Sequence, residues 1–149
     1  MNVSGITWSE GWLEVGKIGV AYLLALPMGL ERERTEHSIG LRTFPLVAVA
    51  SCAYLLLSPM GSTADRSRII QGLVAGIGFI GGGAILKGQE GVHGTATAAA
   101  IWNTGAIGAA VAQGQYHVAI LLSAINLVTF RFLMPLKQRL DSNGGLKSK

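Results

Sequence analysis

Apolar residues in this chain fall into five blocks, with polar residues confined to the short stretches between them. The blocks run from Trp12 to Leu30, Thr43 to Leu57, Ile69 to Leu86, Thr95 to Ala112 and Tyr116 to about Leu133. The third has 18 residues and a single polar side chain, Gln71. As a helix it spans about 27 Å, close to the hydrocarbon thickness of a bilayer and far beyond an ordinary strand. The fourth is equally long, with Asn103 near its centre. The pattern predicts an all-α integral membrane protein of about five transmembrane helices, the third rich in glycine. Only Gln113-Gly114-Gln115 divides blocks four and five, which predicts an antiparallel helical hairpin. The second block is short for a span. It predicts a helix that starts earlier, with Arg42 snorkelling, or one that is tilted or re-entrant.

Within the third block, GLVAGIGFIGGGAIL contains a literal GxGxxG from Gly76 to Gly81. A dinucleotide loop should follow a strand and precede a carboxylate by about 20 residues. Here Asp65, Arg66 and Arg68 come before it, and the block's length favours a membrane helix. Gly72 and Gly76 are four apart, as are Gly78 and Gly82, which puts small patches on two faces of one helix. Such a helix can be gripped by two neighbours, within the protein or across a dimer. Gly81 to Gly83 can instead mark a break beside a substrate cavity. Close packing is the simpler expectation.

Composition agrees with the pattern. Of 149 residues, 50% are hydrophobic and 13% charged, against about 25% charged in soluble domains. The net charge is +4, but the basic residues lie in short groups without interleaved aromatics, so nucleic acid is not an expected partner. Cys52 is the single cysteine, which excludes a disulfide framework. Residues 1–11 contain no Lys or Arg, so a cleaved signal peptide is not expected and they form an external N-terminus. Residues 12–134 form the transmembrane domain and 135–149 a polar cytoplasmic tail. Nine basic residues fall on one side of this arrangement and two on the other. An external N-terminus and a cytoplasmic C-terminus follow from the positive-inside rule.

Several polar residues are candidates for function. Glu14 and Lys17 are three apart and can pair; the depth of Lys17 stays open. Glu31 with Arg34, and Arg32 with Glu36, have helical pair spacings. Alternatively Glu31, Arg32 and Arg42 turn inwards and clamp helix ends or an anion. Asp65 precedes the third block by a turn, where it can cap a helix, and with Arg66 and Arg68 beside it offers one carboxylate to a cation that wants several oxygens. Asn103 and Asn126 are expected to hydrogen-bond between helices four and five. No HExxH, cysteine–histidine pair or nucleophile elbow occurs, so neither an enzyme, a cofactor nor a bound metal is expected.

Taken together, GLERE at Gly29 to Glu33, GLRT at Gly40 to Thr43, Asp65 with Arg68-Ile69, GIGFIGGG at Gly76 to Gly83 and GVHGTATAAAIW at Gly91 to Trp102 resemble the MgtC/SapB-like membrane proteins. The resemblance covers roughly Ala21 to Val128. It implies a multi-pass protein of the bacterial inner membrane, linked to magnesium limitation and to virulence, with members that inhibit the F-type ATP synthase. Residue by residue it implies family positions at Glu31, Arg32, Gly40, Leu41, Arg42, Thr43, Asp65, Arg68, Gly76, Gly78, Phe79, Gly94 and Trp102, with Gly82 and Asn103 added as candidates from the residue reading. Virulence-type members have arginine in place of His93, asparagine in place of Ala96, and a soluble domain after the last helix. Three roles follow: a regulator docked on a larger membrane protein such as the ATP synthase, a magnesium or other cation transporter or channel with a polar centre around Glu31, Arg42, Asp65 and Asn103, and a structural homodimer. Membrane lipids are partners in each.

Overall fold

A computed structural model describes residues 8–35, 40–58, 63–88 and 91–133. Among these, five α-helices and one short hairpin are present. The elements are α1 (Trp8–Thr35), α2 (Thr43–Leu56), α3 (Thr63–Gly83), β1 (Leu86–Gly88), β2 (Gly91–His93), α4 (Thr95–Ala112) and α5 (Tyr116–Val128). A π-helical turn, Thr129–Leu133, continues α5. The helices match the five apolar blocks, with three differences. α1 continues through the charged stretch Glu31–Arg34, because Glu and Arg are good helix formers whatever their polarity. α3 starts at Thr63, six residues before the block, since Asp65 in its first turn suits the helix dipole. It stops at Gly83, and Leu86 belongs to a β-hairpin that apolarity alone did not foretell.

α4 is the central helix and packs against α1, α2, α3 and α5. Its small residues allow this. A Cβ at Gly105 would run into the Ile77 side chain, and one at Gly108 into the Ala48 carbonyl oxygen. Around α4, Ala21, Ala25, Ala48, Cys52, Ile107 and Val111 form one apolar cluster. Met28, Phe44, Val47, Ile77, Ile101 and Phe130 form another. Several polar groups inside the bundle bond across helices. Asn103 Nδ2 donates to Asn126 Oδ1 at 2.9 Å and to Leu122 O at 3.3 Å. Asn126 Nδ2 in turn reaches Thr104 Oγ1 at 3.4 Å. Ser123 Oγ donates to Leu24 O at 2.6 Å, one residue from the carbonyl that Pro27 cannot serve for want of an N–H.

Apolar side chains also cover the outside. Phe79 is 85% exposed, and Leu57, Leu23, Ile120 and Leu121 face outward too. Large exposed apolar surfaces call for a non-aqueous surrounding or a partner. Gly11–Arg34 and Tyr116–Leu133 are long and apolar enough to cross a membrane, and Thr43–Leu56 is a shorter apolar helix.

Candidate functional site

GLERE, GLRT, the end of α3 and the hairpin gather at one end of the bundle. Gly29 of α1 lets the turn before α2 lie against it: a Cβ there would meet Leu41 Cα at 3.1 Å. Gly40 in that turn is as tight, its Cβ position 2.8 Å from the Glu33 backbone nitrogen. The Leu41 N–H donates to Glu33 Oε2 at 3.3 Å. On the next helix pair, a Cβ at Gly81 would come within 3.1 Å of Ala98 O. Gly94 enters α4 with φ +84°, and a side chain there would collide with Ala84 O. Glycine is needed on both counts.

Arg32 lies at the centre of this end. It is 1% exposed, its Nη2 donates to Thr97 Oγ1 at 2.8 Å, and its guanidinium carbon stands 5.0 Å from the centroid of Phe130. Three elements therefore close on one planar cation: α1 supplies it, α4 the hydroxyl and the π turn the ring. Beside it, Glu31 pairs with Arg131 at 3.4 Å, the carboxylate side 13% exposed. The expected helical pair of Arg32 with Glu36 falls outside the described residues. The inward clamp of Glu31, Arg32 and Arg42 is half realised, because Arg42 is exposed. It sits at the start of α2, where its long side chain reaches the surface at no cost.

The remaining candidates lie elsewhere. Asp65 is in the first turn of α3, two residues in from the start, and Arg68 is exposed one turn on. Asn103 belongs to the α4–α5 polar pair described above. The structure thus does not bring Glu31, Arg42, Asp65 and Asn103 together. Among the described residues no three of His, Cys, Asp and Glu converge as a metal site. Lys17 does not rely on Glu14: it is half-buried and its Nζ donates to Ala112 O at 2.9 Å. A cation at the last carbonyls of α4 is favoured by the dipole.

Of the two expected uses of the α3 glycines, gripping by neighbours within the chain is absent at most of them. Gly72, Gly76, Gly78, Gly82 and Gly83 have no neighbour within 4 Å of a Cβ position. Gly81 alone packs inside the protein, and Gly105 and Gly108 of α4 do the gripping expected of α3. The triple glycine ends the helix: Ala84 and Ile85 N–H bond back to Gly81 O and Gly82 O at 3.0 and 3.1 Å. The sequence pattern does not mark Thr97, Phe130 and Arg131 as partners of Glu31 and Arg32. Their pairings cross 65 or more residues of sequence, so no local spacing announces them.

A bundle with apolar outer faces, polar groups paired internally and a buried arginine locking one end defines a helical membrane protein. The motif end also fixes its kinship. The chain belongs to the MgtC family, whose model matches residues 18–139. It is 33% identical over 146 residues to protein SrpB of Synechococcus elongatus, covering 87% of this chain and 79% of SrpB. It is 35% identical over 121 residues to protein MgtC of Salmonella typhimurium, covering 81% of this chain and 52% of the relative. For YhiD of Escherichia coli the figures are 34% over 122 residues, 76% and 57%. The chain thus spans little more than half the length of MgtC and YhiD. No solved structure matches it.

Proposed function

We propose that the chain is a small, non-catalytic regulator in the bacterial inner membrane, associated with magnesium limitation, which docks onto a larger membrane complex such as the F-type ATP synthase. One observation carries the docking: the glycine faces of α3 meet nothing of their own chain, and Phe79 stands out from them 85% exposed. Small residues let a partner helix approach closely, and a lone aromatic between them is a knob for its groove. Five spans with an external N-terminus and a cytoplasmic C-terminus place the Arg32 end on the cytoplasmic side. The test is ATP hydrolysis and proton pumping in inverted membrane vesicles with and without the protein. Inhibition that is lost in Gly76→Leu and Gly82→Leu supports the reading; unchanged activity at stoichiometric protein removes this partner.

A second reading is cation transport, supported by YhiD, which carries a provisional name as a magnesium transporter. Magnesium flux into proteoliposomes tests it, and uptake no faster than into empty vesicles ends it. The same open glycine faces support a homodimer with α3 as the seam. Cysteines introduced at Gly76 and Gly82 would crosslink in native membranes if it forms.

A further inference from the structure

α2 and α3 touch only loosely, and between them lies a groove of about 700 Å³. It follows one face of each helix, from Thr43 to Tyr54 on α2 and from Ile69 to Ile80 on α3. The floor is apolar, with Gly72 and Gly76 leaving it deep. Ser51 also lines it, but its hydroxyl is already spent on Val47 O at 2.7 Å. Polar groups with bonds to give are confined to the two ends, at Thr43 and Tyr54. Such a groove offers nothing to a polar solute and a full length of contact to a hydrocarbon chain. Twelve residues of helix, with eleven rises between them, make it about 16 Å long, the depth of about one leaflet.

The two mouths differ in charge. At the Thr43 mouth stands Arg42, exposed and joined by no ion pair among the described residues. The first turn of α2 adds its own positive pole, for Arg42 makes no side-chain cap there. At the other mouth Asp65, Arg66 and Arg68 of α3 set one carboxylate among two guanidiniums, so both signs are present there. A hydrocarbon-shaped groove with a cation at one mouth fits one molecule class. We propose that the groove holds an acyl chain of an anionic phospholipid whose phosphate sits at Arg42. The proposal rests on the membrane reading but not on any protein partner.

Native mass spectrometry of the full chain, released from detergent with phosphatidylglycerol or phosphatidylcholine of identical acyl chains, tests it. The chain should retain one phosphatidylglycerol in preference to phosphatidylcholine. Arg42→Gln should cut that preference about fivefold, the worth of one basic side chain at an anionic lipid surface. Gly76→Leu, whose Cβ position has no neighbour within 4 Å, puts an isobutyl group into the groove and should abolish retention of both lipids. Ala75→Leu, turned away from the groove on the same helix, should leave retention unchanged and shows that bulk on α3 is tolerated. Equal retention of the two lipids, or Gly76→Leu retaining as much as the parent chain, overturns the proposal. So does a dimer mass that excludes lipid, because a second copy then fills the groove. Recovery of the chain without detergent would instead remove the membrane reading itself, so the two failures are distinguishable.

Discussion

Arg32 and Arg34 stand two positions apart on α1, yet the first is 1% exposed and the second faces solvent. Helical geometry turns them about 200° from each other, and α4 with the π turn covers only one of those directions. Once covered, a guanidinium must be paired or stacked, because a buried charge without partners is costly. Arg32→Ala is therefore expected to lower stability in detergent by about 1.5–3 kcal/mol, the worth of a hydrogen bond to a charged group. Arg32→Lys should recover only part of that, since an ammonium lacks the planar face that stacks on Phe130. Denaturant or thermal unfolding of the purified protein measures both. For Asn103 and Asn126, leucine substitutions should each cost about 1 kcal/mol and couple in a double-mutant cycle. Additive losses would mean that the two amides do not act as a pair. That pairing was legible in the sequence, because two asparagines in consecutive apolar helices have few other ways to be satisfied. The burial of Arg32 was not: nothing in GLERE distinguishes which arginine α4 will cover.

At the scale of elements, α3 and α4 divide the work of glycine in opposite senses. Composition alone assigns close packing to α3, which has six glycines to the two of α4. The structure reverses this, since Gly105 and Gly108 lie where α4 meets α3 and α2, and most α3 glycines face outward. Gly108→Ala should thus destabilise by about 1–3 kcal/mol by overpacking against the Ala48 carbonyl. Gly76→Ala should be neutral or stabilising by up to about 1 kcal/mol through helix propensity. A thermal shift assay on the two variants separates the roles; destabilisation by both would place α3 inside the fold. The length and type of α2, α4 and α5 needed no such help. Apolar runs of that length bounded by turn residues have one economical solution in lipid, a helix with its backbone groups paired internally.

For the whole molecule, the bundle has two unlike ends. One collects GLERE, GLRT, the end of α3 and the hairpin; the other carries Lys17 at the end of α4 and the start of α3. On the orientation proposed above, the first faces the cytoplasm. In a Cys52→Ala background, Gln113→Cys should react with a membrane-impermeant maleimide in intact cells, and Lys87→Cys only after permeabilisation. The reverse pattern would invert the protein. Cys52 itself is fully buried, so its removal tests nothing but packing.

The sequence by itself determined the medium, the number and the type of helices, because apolar length and sparse charge are local quantities that survive any arrangement of neighbours. It also carried the family, through motifs whose order and spacing are one-dimensional. The tertiary structure alone decided which arginine is enclosed, which glycines are contacts and which are surface, and that α2 and α3 leave a groove between them. Those properties belong to pairs of residues far apart along the chain, and a face becomes interior only when another helix is laid upon it.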